Sequence, residues 1–278
     1  MNKDLYLKGR VAFVTGGLTG QGLAIAKNMA SLGANVIAGS YCKENVTSQK
    51  DASHYPSSSE MAKVENILKK YGTEIVVSHL DVRDQVHIDR LTRLAVKRFG
   101  KIDILVNAAG ITVEQGVCDH PDDLWEKVIG TNLTGAFKTI RACLPMMIEN
   151  KWGRIINLGS TAASVGWADN PAYCSSKSGL LGLTRCVALE GAPHNVSCVM
   201  ISPTWVETEL MEQNVSQIAE KAEKGTGADA LKKEIITNNP QGRMIQPKEI
   251  AFLASHLCRN ESLGITGENI QVTGGALW

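Results

Sequence analysis

The sequence predicts an α/β fold: one doubly wound, seven-stranded parallel sheet with helices on both faces. Short apolar runs rich in β-branched residues alternate with longer amphipathic stretches from end to end, which is the pattern of repeated βα units. The chain has 278 residues, of which 44% are hydrophobic and 21% charged, enough for one large core. No internal repeat or linker divides it, so we expect a single domain over residues 1–278.

Seven runs are predicted to be strands because each is short, apolar and bounded by turn residues. Their continuous apolar character fits a parallel sheet that is covered on both faces. The predicted strands are residues 11–15, 35–39, 74–80, 104–108, 154–159, 196–202 and 269–273.

Six longer stretches each carry one apolar stripe at helical spacing and are therefore predicted to be helices. They lie between the predicted strands, as crossover connections of a parallel sheet require. The predicted helices are residues 21–32, 60–71, 85–99, 122–150, 172–190 and 247–258.

Two segments exceed what sheet crossovers need. Residues 41–60 are polar and rich in Ser, which predicts a long surface loop that ends in a helix N-cap. Residues 207–240 have a helical pattern broken by Gly225 and Gly227. Because ligands bind at the carboxyl edge of such sheets, this insert is a candidate lid over a substrate. A packed surface subdomain or an oligomer contact explains it equally well.

Charge and the N-terminus limit the possible partners. Twenty-nine Lys and Arg against 28 Asp and Glu give a formal charge of +1, without the basic patch that nucleic acid needs. The polar N-terminus and the short first apolar run predict neither a signal peptide nor a membrane span. We therefore expect a cytoplasmic protein with a small-molecule partner and no membrane contact.

Cysteine and histidine spacing predicts no metal site. The seven cysteines form no C-x-x-C pair and the six histidines are scattered singly. Reduced, buried thiols are therefore expected rather than disulfides or metal ligands.

The segment TGGLTGQG (15–22) follows the first strand and opens the first helix. Gly16, Gly20 and Gly22 would let the backbone turn sharply and approach a pyrophosphate, whose charge would meet the helix N-terminus. The flanking strand and helix make dinucleotide binding a better interpretation than a turn without a ligand.

Tyr173 and Lys177 stand four residues apart in a predicted helix, so they share a face and can act on one bound molecule. Together with T-G-x-x-x-G-x-G, Asn107-Ala108-Ala109-Gly110, Asn132 and Ser160, this pair resembles the short-chain dehydrogenase/reductase family across essentially the whole chain. The resemblance implies a single-domain Rossmann fold and an NAD(P)-dependent oxidoreductase that interconverts a secondary alcohol and a ketone by hydride transfer. A catalytically silent nucleotide-binding regulator is the alternative.

By this resemblance, the catalytic residues are Asn132, Ser160, Tyr173 and Lys177. Tyr173 is the general acid or base, Ser160 donates to the substrate oxygen, and Asn132 anchors a water relay to Lys177. A phenol of pKa ~10 is a poor base at neutral pH, and lowering that pKa by about 3 units needs roughly 4 kcal/mol of phenolate stabilisation. The Lys177 ammonium and an oxidised nicotinamide would supply it.

The resemblance also implies a cofactor site. Asp81 and Val82 would contact adenine, with helix N-capping as a competing role for Asp81. Thr204 replaces a glycine that the family usually has after the sixth strand. The implied cofactor-binding residues are Gly16, Leu18, Thr19, Gly20, Gln21, Gly22, Ser40, Tyr41, Asp81, Val82, Asn107, Ala108, Gly110, Tyr173, Lys177, Pro203, Val206 and Thr208.

The end of the second strand favours NADP(H) over NAD(H). An acidic side chain there would bond the ribose hydroxyls and repel a 2′-phosphate. Ser40 occupies the position and is followed by Tyr41 and Lys43, so a phosphate would be tolerated.

Substrate-lining residues are expected to be Ser160, Trp167, Trp205 and Met211, with Val113 and Asn170 nearby. Two tryptophans and a methionine suggest a partly apolar ligand, although core packing explains them equally well.

The C-terminal third resembles 3-hydroxybutyrate dehydrogenases in W-V-x-T and ITGENIQVTGG. Thr112, Ala162, Asn170 and Asn214 stand where that group has Gln, His, Lys and Gln to hold a carboxylate. The expected substrate is therefore a secondary alcohol or ketone rather than a small hydroxy acid. The family resemblance further implies a homodimer or homotetramer in which the helices at 122–150 and 172–190 pair between subunits.

Overall fold

The computed structural model describes residues 4–46, 55–221 and 227–276. Its strands confirm all seven predicted ones, with ends shifted by one residue at most. They are β1 Val11–Thr15, β2 Asn35–Ser40, β3 Ile75–His79, β4 Ile104–Asn107, β5 Gly153–Leu158, β6 Val196–Pro203 and β7 Asn269–Val272.

The strands form one parallel sheet in the order β3-β2-β1-β4-β5-β6-β7, so the predicted fold class is confirmed. The strand order reverses between β1 and β4, where Thr15 pairs with Asn107 at the carboxyl ends. In sheets of this kind, the crevice at the reversal is where ligands bind.

Nine helices within the described residues include all the predicted helical regions. They are α1 Gly20–Ser31, α2 Ser58–Lys69, α3 Gln85–Phe99, α4 Asp122–Ile129, α5 Gly135–Glu149, α6 Pro171–Gly191, α7 Glu209–Lys221, α8 Ala228–Asn238 and α9 Pro247–His256.

Helices cover both faces of the sheet because successive strand residues point to opposite sides. In β1, Ala12 and Val14 join a buried cluster with α1, α2 and α9, whereas Val11 and Phe13 join a second cluster with α3, α5 and α6. The two cores fix the sheet between them and leave its carboxyl edge to the loops.

The helix predicted at 122–150 is interrupted. A wide π-helical turn, Gly130–Thr134, separates α4 from α5. Such turns occur frequently at functional sites. The apolar stripe continues across the turn, so periodicity alone did not reveal it.

Helix α3 starts at Gln85 as predicted, whereas its cap and the start of α2 differ from expectation. Asp81 does not cap α3, because Asp84 occupies the N-cap position and accepts a hydrogen bond from the Val86 amide (2.8 Å). Helix α2 starts two residues earlier than predicted, since Ser57 and Glu60 form a reciprocal capping box. Residues 47–54 of the predicted loop lie outside the described residues.

The insert is helical, as expected. Helices α7 and α8 pack through a small cluster of their own, in which Met211 and Val215 meet Met244.

All seven cysteines are free thiols, but Cys118 and Cys186 are exposed, so the expectation that the thiols are buried holds only in part. The described residues contain no cluster of metal-ligating side chains. Among the described helices, none combines the length and apolarity needed to cross a bilayer.

Candidate functional site

A groove of about 150 Å³ lies at the carboxyl edge of the sheet, where the strand order reverses. It brings together most of the residues predicted to hold a cofactor. Those that line it are Gly16, Thr19, Gly20, Gln21, Gly22, Ser40, Tyr41, Asp81, Val82, Ala108, Gly110, Tyr173, Lys177 and Thr208.

The other predicted cofactor residues lie behind this lining. Leu18 and Asn107 are buried in the core, and Pro203 is buried at the end of β6. Val206 is also buried and pairs with Ile245 in an isolated bridge.

The glycine-rich turn is closed tightly against its neighbours. Gly16 has a φ of +62°, and a Cβ on it would lie 2.7 Å from the Ala109 amide nitrogen. A Cβ on Gly22 would lie 2.1 Å from the Gly16 carbonyl oxygen. Thr19 precedes α1 without a side-chain cap, so the first-turn amides remain available to an anionic group in the groove.

Tyr173 and Lys177 lie in the first two turns of α6, which begins with Pro171 at its first position. Lys177 Nζ donates to the Leu158 carbonyl oxygen (2.7 Å) and lies 5.5 Å from the centroid of the Tyr173 ring. The Ser160 side chain lies near enough to the Tyr173 hydroxyl to lower its pKa. The predicted triad of Ser160, Tyr173 and Lys177 therefore meets at one end of the groove.

Asn132, in the π-helical turn, fixes the backbone beside this triad. Its Oδ1 accepts from the Ile111 amide (2.9 Å), and its Nδ2 donates to the Ile111 carbonyl (2.9 Å) and to Ser176 Oγ (3.0 Å). Ser176 Oγ in turn donates to the Tyr173 carbonyl (2.7 Å). The chain of contacts connects the segment after β4 to the turn that carries Tyr173.

Burial dominates the ionisation of Tyr173 and Lys177. It raises the pKa of Tyr173, and the hydrogen bond with Ser160 opposes the rise. Burial also lowers the pKa of Lys177 to about 8. The net shift that the chain's own groups give the Tyr173 pKa is upward, opposite to the lowering that was expected, so the positive charge of an oxidised nicotinamide would have to reverse it.

A buried polar network supports the groove from below. Asn107 Nδ2 donates to Asn157 Oδ1 (2.9 Å), and Asn107 Oδ1 accepts from Thr139 Oγ1 (2.6 Å). Asn157 Nδ2 donates to Thr184 Oγ1 (2.9 Å). The network ties β4 and β5 to α5 and α6.

Some groove-lining residues were not predicted from the sequence. Arg83 grips Asp81 through Nε–Oδ1 (3.0 Å) and Nη2–Oδ2 (2.7 Å) contacts. Tyr55 reaches the groove from the segment before α2. No local motif marks either residue, because their positions depend on how distant segments meet. The other unpredicted lining residues include Leu80, Ile111, Lys127, Thr131 and Glu209.

A second cavity, of about 210 Å³, lies beside the insert. Trp167 and Trp205 line it and stack on each other with ring centroids 5.7 Å apart. Thr161, Ile235 and Met244 complete much of its wall. Met211 lines neither cavity, because it packs inside the insert with 4% of its surface exposed.

Four residues stand where 3-hydroxybutyrate dehydrogenases hold a carboxylate, and two of them, Thr112 and Asn170, contact each other. Thr112 Oγ1 donates to Asn170 Oδ1 (3.1 Å), and Asn170 Nδ2 points to Glu114 Oε1 at 3.5 Å. Ala162 is fully buried. No positive charge is brought in by these four residues.

Comparisons with known proteins agree with this geometry. A family model described as enoyl-(acyl carrier protein) reductase matches residues 16–276. A D-beta-hydroxybutyrate dehydrogenase from Cupriavidus necator is 34% identical over 97% of this chain and 98% of its own. A 2,3-dihydro-2,3-dihydroxybenzoate dehydrogenase from Bacillus subtilis is 32% identical over 97% of each chain. The NAD+-bound structure of a xylitol dehydrogenase superposes with a TM-score of 0.87 at 28% identity, covering 97% of this chain and 99% of that one.

Proposed function

The chain belongs to the short-chain dehydrogenase/reductase family, and from this premise we propose that it is an NAD(P)-dependent oxidoreductase that interconverts a secondary alcohol and a ketone. The observation that carries the proposal is the meeting of Ser160, Tyr173 and Lys177 at one end of a groove built around a glycine-rich turn. No observation favours a catalytically silent regulator, since the relatives carry the names of dehydrogenases and reductases.

The groove residues fit a dinucleotide. The uncapped N-terminus of α1 faces the groove beside Gly16 and Gly22, where any Cβ would clash, which suits close approach of a pyrophosphate. A Cβ on Gly110 would lie 3.6 Å from Lys177 Nζ, so a side chain there would compete for the space beside the ammonium. The bound nicotinamide would supply or accept the hydride.

Each catalytic residue has a proposed task. Tyr173 gives its hydroxyl proton to the substrate oxygen during reduction and takes it back during oxidation. Ser160, whose side chain lies near the Tyr173 hydroxyl, holds the same oxygen within reach. Lys177 is buried beside the phenol, and its charge favours phenolate. Asn132 keeps the segment after β4 in register with the turn that carries Tyr173.

We propose a preference for NADP(H). Ser40 ends β2 without a carboxylate that would repel a 2′-phosphate, and Tyr41 follows it in the groove wall. Arg83 adds a guanidinium to the same wall, and its contacts with Asp81 use Nε and Nη2 only. Ordinary steady-state kinetics decide the matter: a higher kcat/KM with NADH than with NADPH would contradict this preference.

The proposed substrate is a secondary alcohol or ketone with an apolar portion. The stacked Trp167 and Trp205 offer that portion a wall beside the loop that carries Ser160. Helix α8 closes the cavity through Ile235, so the insert acts as a cover. A small hydroxy acid is not proposed, because the contact between Thr112 and Asn170 presents no cation to a carboxylate.

A screen of neutral alcohols and ketones against both cofactors, read by reduced-nicotinamide absorbance, tests the proposal. Tyr173→Phe keeps the ring but removes the transferable proton, so kcat is expected to fall by about 10²-fold or more. The Kd of the reduced cofactor should change little. Tyr71→Phe, an exposed position after α2, is the control. Near wild-type turnover by the Tyr173 variant would remove its proposed role.

A further inference from the structure

A serine in α6 lies between the two catalytic side chains that this helix carries. Ser176 stands three residues after Tyr173 and directly before Lys177. Its side chain is fully buried, and it does not line the groove. Ser176 is therefore not placed to contact a ligand, and any effect it has on the reaction has to pass through its neighbours.

The Ser176 hydroxyl joins two hydrogen bonds that run in one direction. Ser176 Oγ donates to the Tyr173 carbonyl oxygen (2.7 Å), and Asn132 Nδ2 lies 3.0 Å from the same Oγ. A hydroxyl has one hydrogen and a carbonyl oxygen only accepts, so that hydrogen is committed to Tyr173 and Asn132 has to be the other donor. The direction of the bonds from Asn132 to Tyr173 is thus fixed.

The contact with Ser176 also completes the bonding of the Asn132 amide. Of the two Nδ2 hydrogens, one goes to the Ile111 carbonyl (2.9 Å) and the other to Ser176, while Oδ1 accepts from the Ile111 amide (2.9 Å). Asn132 is buried, so removal of the Ser176 hydroxyl would leave an amide hydrogen unpaired in the interior, which is unfavourable. The Asn132 side chain would then turn and loosen its hold on Ile111.

Ile111 connects this arrangement to the groove. It lines the groove and follows Gly110, where a Cβ would lie 3.4 Å from Asn132 Oδ1 and 3.6 Å from Lys177 Nζ. Asn132, the segment after β4 and the Lys177 ammonium therefore share one confined space. A shift of the first turn of α6 relative to this space would move the Tyr173 phenol relative to a nicotinamide in the groove.

A second residue of α6 makes the same kind of contacts away from the catalytic residues. Thr184 Oγ1 donates to the Leu180 carbonyl (2.8 Å) and accepts from Asn157 Nδ2 (2.9 Å). Thr184 is also fully buried, and its distance from Tyr173 along the helix is about 16 Å. Because a hydroxyl that bonds to a preceding helical carbonyl can be purely structural, Thr184 provides the matched comparison.

We propose that Ser176 is a positioning residue for the catalytic tyrosine: its hydroxyl, held between the Asn132 amide and the Tyr173 carbonyl, keeps the phenol in place against the bound nicotinamide. This inference rests on the proposed function, because it requires a dinucleotide in the groove. The ionisable neighbours of the phenol are Lys177, 5.5 Å from the ring centroid, and Cys174. Both belong to the same helix as Tyr173, so a shift of its first turn changes chiefly the distance from the ring to the nicotinamide.

Ionisation of Tyr173 in the complex with the oxidised cofactor tests the inference without a known substrate. The positive nicotinamide favours the phenolate, so a displaced phenol ionises less readily. The ultraviolet absorbance of tyrosinate is titrated with pH in saturating NADP+, or in NAD+ if that binds more tightly, and the curve of the same protein carrying Tyr173→Phe is subtracted. Ser176→Ala is expected to lower the ionisation constant of the phenol about tenfold. Thr184→Val should lose similar stability and leave this constant unchanged.

Hydrogen exchange gives a second measurement. The peptide that contains Ile111 should exchange faster in Ser176→Ala, because Asn132 Oδ1 no longer holds the Ile111 amide, and at the wild-type rate in Thr184→Val.

Wild-type phenol ionisation in Ser176→Ala would overturn the inference. An equal change in Thr184→Val would do so too, because it would assign the effect to a general loosening of α6. If the alanine variant does not fold, Ser176→Cys, whose thiol is only a weak donor and acceptor, replaces it under the same criteria. A wild type that binds neither NADP+ nor NAD+ would instead refute the proposed function.

Discussion

At the scale of single residues, Lys177 is a charged side chain that is buried and therefore carries a desolvation penalty. It is 5% exposed and donates one hydrogen bond, to the Leu158 carbonyl. Burial disfavours its charged form, which is why its pKa falls from 10.5 to about 8. A buried lysine lowers the stability of the fold, so its presence needs a functional reason. The adjacent Tyr173, whose ionisation a nearby positive charge favours, supplies that reason.

Burial of Lys177 makes the free energy of unfolding depend on pH in a predictable direction. Below pH 8 the amine is charged in both the folded and the unfolded chain, and the folded state bears the full penalty. Between pH 8 and 10.5 the unfolded chain binds more protons, so wild-type stability gains with rising pH from this group. The size of the pKa shift corresponds to about 3 kcal/mol.

Lys177→Met is therefore expected to abolish activity. It should also raise the free energy of unfolding at pH 7 by about 1–3 kcal/mol, reduced by the contribution of the lost hydrogen bond to the Leu158 carbonyl. The advantage over wild type should shrink as pH rises from 8 toward 10. Urea unfolding at pH 7, 8.5 and 9.5 measures it, with the exposed Lys233→Met as control. A stability difference that is constant across this range would show that the amine is not penalised by burial.

The site residues that could be predicted from the sequence are close together along the chain. Those that could not be predicted meet only through contacts between distant segments. Tyr173 and Lys177 are one helical turn apart, so a local spacing predicted their meeting. Arg83 and Tyr55 were missed because no spacing in the chain brings the ends of β3 and of a long loop together. The raised pKa of Tyr173 was missed for a related reason, since burial is a property of the whole fold.

At the scale of elements, the strands were predicted closely because each is a continuous apolar run that is buried on both faces. The start of α2 depended on a side-chain cap that the apolar pattern does not encode, as Ser57 shows. The π-helical turn at Gly130–Thr134 depended on long-range bonds from Asn132 to Ile111. Periodicity gives the element, and tertiary contacts give its irregularities.

The junction of β1 and α1 makes the sharpest prediction at this scale. Gly22→Ala places a Cβ 2.1 Å from the Gly16 carbonyl oxygen, so the first turn of α1 has to move away from the glycine turn. We expect the Kd of NADPH to rise at least tenfold and the free energy of unfolding to fall by about 1–3 kcal/mol.

Fluorescence titration and urea unfolding provide the two measurements for Gly22→Ala. Gly264→Ala is the matched control, because a Cβ there meets nothing within 4 Å and the residue lies outside the groove. A Gly22 variant that binds the cofactor as the wild type does would mean that the tight turn serves packing rather than the pyrophosphate.

At the scale of the whole molecule, the sheet determines which residues can cooperate. The reversal between β1 and β4 places the glycine turn in the middle of the edge, with Tyr41 and Arg83 after β2 and β3 on one side and Ser160 after β5 on the other. We expect cofactor binding and proton transfer to depend on different parts of this edge. A change at Gly22 is expected to act mainly on cofactor affinity and one at Tyr173 on kcat, because the first borders the proposed pyrophosphate position and the second would exchange the proton.

The outer surface of this fold is not uniformly polar, and that bears on assembly. Helices α5 and α6 pack on the same face of the sheet and expose Phe137 (44%) and Leu189 (78%). A second subunit that packs along both helices would bury these two apolar side chains. We propose that a homodimer or homotetramer forms through these helices, as the family resemblance implies.

Light scattering at tens of micromolar protein is expected to give the mass of a dimer or tetramer. The pair Phe137→Glu and Leu189→Glu puts two charges into the proposed interface, where burying them without partners is costly, so the mass should fall. Val86→Glu changes an equally exposed apolar residue (66%) on α3 and should leave the mass unchanged. A wild-type monomer would refute assembly altogether, and a double variant with the wild-type mass would place the interface on another face. Since the groove residues lie at the sheet edge rather than on α5 and α6, the dissociated variant should still bind ADP-ribose.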